Sequence, residues 1–213
     1  FYIRNPPSIQ YEIDSIFDEN SFSSEGKTLN IYTSFQFMNL DFTNIINSVT
    51  LYFNNNPNIY GNLILNPNMT CSGRYSNLIF KYLEGVTPEE RYLNSNGCSL
   101  ENFDIYVDEG PLHINNDLIC KSISTDSYNL IKFYFYDSEI TFTGEAPTLS
   151  IPSSSIVDAG TSLIIFDMSF GNGATIYSDI NNFYNVEFRN AVGSGSETVY
   201  FSSFDDFIGN SFN

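Results

Sequence analysis

The stretch from 163 to 190 carries one seven-residue pattern twice, and this repetition constrains the fold more than any other feature of the sequence. The pattern runs aromatic, polar, apolar, polar, Phe, any residue, Asn, first at 166–172 and again at 184–190. A short fixed period is the sequence signature of a repeat protein whose successive units stack on one another. We therefore interpret the Phe and Asn positions as structural.

Further partial copies extend the repeat to other parts of the chain. Residues 38–44 and 49–55 match it apart from Met38 and Val49 at the aromatic position, and a Thr-apolar-Tyr triplet at 175–177 returns at 198–200. Phe42 and Phe53 are only 11 residues apart, so one of the two copies belongs to a different strand of the same coil, and the sequence leaves open which one. Coils of roughly 18 to 23 residues with three short strands each predict a right-handed parallel β-helix, with coils ~4.8 Å apart. Equivalent side chains then stack, with Phe170 on Phe188 inside the helix and one Asn on the next at a bend. The predicted structural repeat positions are Phe42, Phe170, Asn172, Phe188, Asn190, Phe207 and Asn210.

The rest of the chain supports an all-β fold. Between 139 and 213 almost every segment is a short β-prone run separated from the next by Gly, Asp or Ser. No long helical pattern interrupts these runs, which argues against an α/β fold. A β-sandwich or β-barrel is the alternative to the β-helix. We expect a single domain over 1–213.

Two segments depart from the repeat. Residues 1–27 contain two consecutive prolines and a polar turn, and we predict that they form an N-terminal cap over the end of the stack. Residues 71–98 are predicted to be an insertion that decorates the β framework. Within them Thr87, Pro88 and the acids that follow are typical of a helix start. They predict a helix of about two turns over 88–94.

The repeat motifs resemble those of the polymorphic-membrane-protein type within the pectin-lyase-like β-helix superfamily. Residues 207–210 fit the Phe-x-x-Asn motif of that type, while the Asn of 170–172 and of 188–190 comes one place early. Residues 172–177 are similar to its Gly-Gly-Ala-Ile motif with one extra residue. The resemblance covers the C-terminal third well and residues 28–56 loosely. It implies a secreted or surface-displayed adhesin-like, autotransporter-like rod that recognises a surface protein or a carbohydrate.

Charge and composition exclude two classes of partner. The chain has 25 acidic and 8 basic residues and a net charge of −17, so neither nucleic acid nor an anionic membrane surface is expected to bind. No run of 18 apolar residues is present, so direct membrane insertion is not expected. The chain begins with Phe1 and not Met, so we expect it to be part of a larger extracellular protein and to associate with further repeats of that protein.

The three cysteines have no metal-binding pattern. No Cys-x-x-Cys pair is present, and the single histidine is not near any cysteine. In an extracellular chain the simplest count is one disulfide and one free thiol. Cys71 and Cys98 are the candidate pair, because their disulfide would close a 28-residue loop and stabilise the fold by roughly 3.6 kcal/mol. Asn68 opens an Asn-x-Thr sequon, which predicts N-glycosylation if the chain is secreted.

An acidic strand supplies the candidate metal ligands. Asp104, Asp108 and Glu109 lie close together in sequence, and lyase-type members of the superfamily bind Ca²⁺ on acids beside an Arg base. No Asp-x-Asp-x-Asp-Gly loop is present. The single His113 lacks the flanking glycines of polygalacturonase-like members, which favours a structural histidine. No cofactor other than Ca²⁺ is a candidate, and the residues favour recognition over catalysis. A polysaccharide lyase or glycoside hydrolase on the same scaffold is the alternative function.

A second resemblance lies at 158–162. The segment Asp-Ala-Gly-Thr-Ser is similar to the Asp-Thr-Gly-Thr-Ser loop of aspartic proteases, and residues 207–210 resemble their later hydrophobic-hydrophobic-Gly element. In that family Asp158 would activate water together with a second Asp. Ala159 replaces the Thr, however, and no second such triplet is present. A β-helix turn of small residues accounts for the same pattern, so an aspartic-protease-like domain is a further alternative.

Overall fold

Short strands form the described part of the protein. The computed structural model describes residues 2–3, 13–16, 27–31, 36–73, 77–82, 90–125, 131–152, 154–169, 173–178, 183–189 and 200–201. Within these ranges the regular elements are strands of two to eight residues, without a helix. In chain order the strands are β1 (Tyr2–Ile3), β2 (Ile13–Ile16), β3 (Lys27–Ile31), β4 (Gln36–Asp41), β5 (Val49–Phe53), β6 (Asn58–Ile59), β7 (Leu63–Ile64), β8 (Met69–Gly73), β9 (Asn77–Phe80), β10 (Tyr92–Asn94), β11 (Leu100–Val107), β12 (Gly110–Ile114), β13 (Leu118–Thr125), β14 (Ile131–Tyr134), β15 (Glu139–Phe142), β16 (Thr148–Ile151), β17 (Ile156–Asp158), β18 (Leu163–Asp167), β19 (Thr175–Ser178), β20 (Asn185–Arg189) and β21 (Tyr200–Phe201).

The strands stack in three parallel sheets around a common core. Sheet 1 holds β6, β9, β16, β19 and β21, with the second halves of β11 and β13. Sheet 2 holds β7, β10, β12, β14 and β17. Sheet 3 holds β1, β3, β5 and β8 and, further along the chain, the first halves of β11 and β13 with β15, β18 and β20. β2 and β4 each contribute to sheets 1 and 2. Each coil passes through the sheets in the order 1, 2, 3, so the predicted parallel β-helix is confirmed.

The coils differ in length more than the sequence predicts. Asp104 pairs with Ser122 on the next coil, whereas Leu63 pairs with Leu93, so the second of these coils is much longer than the first. The step from 63 to 93 exceeds the upper limit of the predicted range, which is therefore too narrow. The paired strands keep their parallel register, so the additional residues lie in the connections between the sheets.

Alternating side chains fill the core. In β5 every second residue is buried, as expected for a strand with one face turned inward. Aromatic rings stack between successive coils of sheet 3, with ring centroids 5.1 Å apart for Phe142 and Phe166 and 5.4 Å apart for Phe166 and Phe188. Such pairs contribute about 0.5–1.5 kcal/mol each beyond the burial of their area.

The repeat that indicated the fold was assigned the wrong register. Phe188 pairs with Phe166, so the predicted stacking of Phe188 on Phe170 is wrong. The first copy begins at the last two residues of β18, whereas the second contains all of β20, so the pattern does not keep its register relative to the strands. Phe42 is fully buried, as a structural repeat position requires. The other predicted repeat positions, namely Phe170, Asn172, Asn190, Phe207 and Asn210, lie outside the described residues.

The strands described within residues 71–98 belong to the regular stack. The segment contributes β9 to sheet 1 and β10 to sheet 2. The helix predicted over 88–94 is wrong where the chain is described, because Tyr92–Asn94 is a strand paired with β7 and β12. Residues 83–89 lie outside the described ranges. Pairing on both sides outweighs a local helix preference at β10, because tertiary contacts override propensities of this size.

The predicted N-terminal cap is described only in part. Tyr2 of β1 pairs with Asn30, and Ile13 of β2 pairs with Phe37. These two strands therefore continue the sheets in register. The remainder of residues 1–27, apart from Lys27 in β3, lies outside the described ranges, and its capping role stays a prediction.

Asparagine side chains join successive coils at the bends. Asn39 Oδ1 accepts a hydrogen bond from the backbone N–H of Asn62 at 2.8 Å, and Asn62 Oδ1 accepts one from the N–H of Tyr92 at 2.9 Å. At another bend Asn116 Nδ2 donates to Asn96 Oδ1 at 2.8 Å. Asn side chains thus bridge successive coils, as expected, but at these bends. The repeat pattern did not identify these asparagines.

Arg91 is fully buried between two coils. Its Nε donates to the carbonyl of Pro111 at 3.0 Å, its Nη1 to the carbonyl of Lys81 at 2.9 Å, and its Nη2 to the carbonyl of Glu109. Burial lowers the pKa of Arg91 to about 10, against the opposing effect of Asp108 and Glu109, so the guanidinium is charged at neutral pH. The three carbonyls belong to neighbouring coils, so this side chain ties the coils together at the bend from sheet 1 to sheet 2.

Candidate functional site

Two short side chains interrupt an aromatic column on the outer surface of sheet 1. Along this column Ile79 is followed on successive coils by Tyr106, Ser124, Ser150 and Tyr177. The alternating residues of these strands are buried, so the column faces outward. Three strand spacings, or ~14 Å, separate the two tyrosines. The serine side chains are too short to fill that space.

A cavity of about 410 Å³ lies over the Tyr106 end of this column. Short hydroxyl side chains from adjacent strands form its floor, and an ammonium, two carboxylates and an aromatic ring surround them. Its volume lies within the range of small-molecule sites. The cavity, here named the Asp104 groove, is lined by Asn77, Ile79, Asp104, Tyr106, Lys121, Ser122, Ser124, Glu145, Ala146 and Thr148.

Asp104 is held in place by two neighbours on the following coil. Its Oδ1 accepts a hydrogen bond from the hydroxyl of Ser122 at 2.5 Å, and its Oδ2 lies 3.3 Å from Lys121 Nζ. The ammonium offsets the charge of the carboxylate, although the chain as a whole has a net charge of −17. The groove therefore presents fixed donors and acceptors without a large local charge of one sign.

The three acids predicted as metal ligands have separate surroundings. Asp104 faces the groove, whereas Asp108 Oδ2 lies 3.7 Å from Lys81 Nζ. Glu109 is exposed, and its backbone carbonyl accepts the bond from Arg91. In the part of the chain that the structure describes, no group of three or more His, Cys, Asp and Glu side chains is arranged to hold a metal ion. The placement of these acids gives no support to a joint Ca²⁺ site.

A column of stacked rings occupies the outer surface of sheet 2. Tyr92, His113 and Tyr134 follow one another in register, with ring centroids 4.9 Å and 4.3 Å apart. Tyr136, after β14, lies 5.8 Å from the ring of His113 and 6.2 Å from that of Tyr134. These four residues are named the aromatic ladder. Because the ring faces pack on one another, the ladder turns mainly ring edges towards solvent.

His113 connects the ladder to two polar groups. Its Nδ1 contacts the hydroxyl of Tyr136, and its Nε2 contacts the carboxylate of Glu90. Partial burial and the neighbouring Tyr92 and Glu90 raise the pKa of Tyr136, so its hydroxyl is protonated at neutral pH. His113 is only 5% exposed; its Nδ1 shares a hydrogen bond with Tyr136, whereas its Nε2 makes a close contact with Glu90 and has no hydrogen bond. This environment agrees with the structural role that the sequence favoured.

The 158–162 turn supports the exposed end of the ladder. Tyr136 has a left-handed backbone with φ +54°, and the N–H of Thr161 donates to its carbonyl at 2.6 Å. Gly160 has φ +52°, and a Cβ there would clash with the carbonyl oxygen of Tyr136, so the turn requires glycine. Asp158 is exposed, and its Oδ1 accepts the N–H of Gly160 at 3.2 Å. These contacts give the turn a structural role, and protease activity of Asp158 stays a prediction.

A second cavity of about 520 Å³ opens beside this turn. Its lining is mostly apolar and includes Ile156, Phe183 and Tyr184, with Asp158 as its charged group. Ile156 and Tyr184 are each about half exposed. A ligand rich in hydroxyl groups finds fewer hydrogen-bonding side chains here than in the Asp104 groove.

The residues predicted to be modified lie in two different environments. Asn68 is exposed, and its Nδ2 donates to the carbonyl of Ile46 at 3.2 Å, so glycosylation of this side chain stays a prediction. Cys71 and Cys98 are buried thiols whose Sγ atoms lie 3.2 Å apart. The structure therefore brings the candidate disulfide pair into contact. Cys120 is a third buried thiol.

Comparisons with known proteins add no family assignment. The chain matches no protein-family model, and searches of curated proteins and of solved structures find no match either. Across the described residues no helix is long and apolar enough to cross a membrane. The arrangement of side chains on the surface is therefore the basis for a functional conclusion.

Sequence reasoning identified Asp104 but missed the groove around it. The missing information is the register that places Ser122 beside Asp104 and Ser124 beside Tyr106. Both pairs join residues of β11 to residues of β13. An alignment of these two stretches with each other is the signal that could have found the groove.

Proposed function

We propose that this chain is a recognition module of a secreted or cell-surface protein, and that it binds a neutral carbohydrate in the Asp104 groove without cleaving it. The observation that carries this proposal is the position of Tyr106 beside a floor of hydroxyl groups in one open cavity. A sugar ring has an apolar face that packs on an aromatic ring and hydroxyl groups that exchange hydrogen bonds with short polar side chains. Binding sites of this kind combine apolar contact with a few fixed polar groups.

The electrostatics of the chain favour a neutral glycan over an acidic one. A net charge of −17 repels polyanions such as polygalacturonate. Within the groove, Lys121 and Ser122 hold the carboxylate of Asp104 in a fixed orientation. A carboxylate offers about four acceptor positions on its two oxygens, so a sugar hydroxyl can donate to Asp104 in addition to Ser122 and Lys121.

The column beyond the groove indicates how a longer ligand would lie. Ser150 and Tyr177 continue the column of Tyr106 and Ser124 along the helix axis. Tyr177 is 42% exposed, so its ring is accessible to a ligand. The ~14 Å between the two tyrosines suits an oligosaccharide laid along the coils, with an aromatic ring near each end.

Binding to a glycan array, followed by calorimetric titration with the best neutral oligosaccharide, tests the proposal. The Tyr106→Ala variant is expected to bind at least about tenfold more weakly, a loss of ~1.4 kcal/mol. Tyr184→Ala is the matched control, because it removes an exposed tyrosine beside the other cavity and is expected to leave affinity unchanged.

Three results would contradict the proposal in different parts. Unchanged affinity of Tyr106→Ala would exclude the groove as the site. Selective binding of acidic glycans would exclude the ligand class. Release of shorter saccharides after prolonged incubation would show catalysis and favour the polysaccharide lyase or glycoside hydrolase alternative.

A further inference from the structure

Cys71 and Cys98 meet between two successive coils. Their Sγ atoms lie 3.2 Å apart, and the residues are 8% and 2% exposed. Cys71 lies in β8 and pairs with Leu51 of the preceding coil. Cys98 comes just before β11, whose Leu100 pairs with the following coil. The sulfur contact therefore joins neighbouring coils on the inner side of the helix.

We propose that Cys71 and Cys98 are a redox-reactive pair that a small-molecule disulfide oxidises to one intramolecular disulfide between coils. The sulfur atoms are already in contact with no atom between them. Bond formation brings them closer by about 1 Å, to the ordinary bonded distance. This inference rests on the cysteines alone and is independent of carbohydrate binding.

The chemistry is thiol–disulfide exchange. In the closed coil the hydrogen bond with Cys71 lowers the pKa of Cys98, whereas the same bond, together with burial, raises the pKa of Cys71. One thiolate of the pair, written here as Cys98, attacks one sulfur of an oxidised disulfide such as oxidised glutathione and expels one thiolate. Cys71, after losing its proton, attacks Cys98 Sγ and expels the second. The protein gives up two electrons and two protons, which leave in two molecules of reduced thiol.

Burial of the pair determines when this exchange takes place. A glutathione-sized reagent has little access to sulfurs that are 8% exposed or less. We therefore expect the first attack while the coil is still open during folding. Closure of the coil then brings Cys71 against the mixed disulfide and excludes water from the product.

The location of the pair gives the disulfide a structural consequence. The loop that it closes, 71–98, supplies Asn77 and Ile79 to the Asp104 groove. It overlaps the coil from Leu63 to Leu93, which has the widest spacing in sequence among the described register pairs. A longer loop costs more entropy to order, so a cross-link here constrains the unfolded chain where that cost is largest. The oxidised protein is expected to unfold at a higher temperature than the reduced protein.

Cys120 is an internal control for this reaction. It is fully buried, and burial raises its pKa well above the ordinary range of a thiol. It pairs in register with Leu100 and not with either of the other cysteines. We expect Cys120 to stay reduced under conditions that oxidise the pair.

The test is refolding of the reduced chain in a buffer of oxidised and reduced glutathione. Unfolding in N-ethylmaleimide then labels every remaining thiol, and intact mass counts the labels. We expect one label after oxidative refolding and three after refolding with reductant, since two of the three cysteines are consumed. Peptide mapping without reductant is expected to link Cys71 to Cys98, and Cys120→Ser is expected to keep that link.

Thermal unfolding supplies the second readout. The midpoint of the oxidised protein is expected to exceed that of the reduced protein by several degrees, as a disulfide over a loop of this length predicts. Three labels after oxidative refolding, or a linkage that includes Cys120, would overturn the proposal. The comparison of the unsubstituted protein with and without reductant decides the question without any variant that must fold.

Discussion

Sheets 1 and 2 have the same parallel arrangement of strands but carry different side chains on their outer surfaces. On sheet 2 the rings of His113 and Tyr134 fill successive coils and pack on each other. On sheet 1 Ser124 and Ser150 follow Tyr106 and leave the next spaces unfilled. Equivalent side chains lie about 4.8 Å apart on both surfaces. A column of rings therefore covers its own ring faces, whereas a column that contains short side chains leaves room for a ligand.

If the groove is the binding site that we propose, aromatic content alone does not locate such a site on a β-helix. The aromatic ladder contains more rings than the groove, yet its ring faces contact one another. The groove has fewer rings and more short hydroxyl side chains. In a parallel stack the order of side-chain volumes along a column thus decides whether the side chains pack on one another or leave room for a ligand. The predictions below change one surface at a time, beginning with the coil that supports both.

Arg91→Ala is expected to have the largest effect, because both surfaces depend on the coil that Arg91 anchors. The substitution leaves three partly buried carbonyl groups without this donor and creates a cavity at a fully buried position. We expect the free energy of unfolding to fall by about 3–5 kcal/mol, as measured by denaturant titration. Arg189→Ala is the control, because Arg189 pairs with Glu187 at the surface, and no measurable change is expected. A loss below about 1 kcal/mol for Arg91→Ala would show that the contact does not tie the coils together.

His113→Ala is expected to break the aromatic ladder and leave the groove intact. The imidazole stacks between Tyr92 and Tyr134 and contacts Glu90 and Tyr136. Its removal is expected to cost about 2–3 kcal/mol of folding free energy, since two ring contacts and a buried polar contact are lost. Affinity for the glycan is expected to stay unchanged. His113→Phe keeps the ring stacking, so its stability is expected to lie between those of the unsubstituted protein and His113→Ala. An equal loss of folding free energy for the Phe and Ala variants would mean that stacking contributes nothing.

Ser124→Tyr is expected to give the outer surface of sheet 1 a closed column of rings like that of sheet 2. The new ring would fill the space next to Tyr106 and occupy the groove. We expect stability to change by less than about 1 kcal/mol, because the position faces outward, and glycan binding to be lost. Ser124→Ala leaves the space open and is expected to weaken binding only modestly. Full binding by Ser124→Tyr in calorimetric titration would show that the ligand does not occupy this space.

Asp158→Asn is expected to have the smallest effect. An Asn side chain can accept the same bond from Gly160, so the turn that supports Tyr136 is preserved. We expect a stability change within about 0.5 kcal/mol and no change in glycan affinity. We also expect no casein cleavage by either protein. Cleavage that the substitution abolishes would support the aspartic-protease alternative and locate a function away from sheet 1.

The fold could be predicted from sequence because a β-helix repeats the same chemical requirements in every coil. Alternating strands and recurrent Phe and Asn residues were visible without a structure. The register was not, because a bend can gain residues while its strands stay paired, which is why Phe188 was assigned to Phe170 in place of Phe166. The strand Tyr92–Asn94 was mistaken for a helix for a related reason, since its partners in β7 and β12 are distant in sequence.

The candidate site was predicted only where local chemistry was enough. Charge singled out Asp104, and loop length singled out Cys71 and Cys98, which the structure places in contact. The neighbours of Asp104 could not be assigned without the register, because Lys121 and Ser122 come from the next coil. A sequence pattern lists groups along one strand, whereas a groove on a β-helix is assembled across strands.

The unequal coil lengths distinguish the effect of an insertion in a strand from that of an insertion in a bend. One residue inserted into a strand turns every later side chain of that strand to the opposite face. One residue inserted into a bend leaves the columns in register, as the short coil from Asp104 to Ser122 and the long coil from Leu63 to Leu93 demonstrate. Glu145 and Ala146 lie on such a connection, between β15 and β16, at the border of the groove. Insertions and deletions in this connection can therefore change the border of the groove, while the register of the strands keeps the hydroxyl side chains of its floor in place.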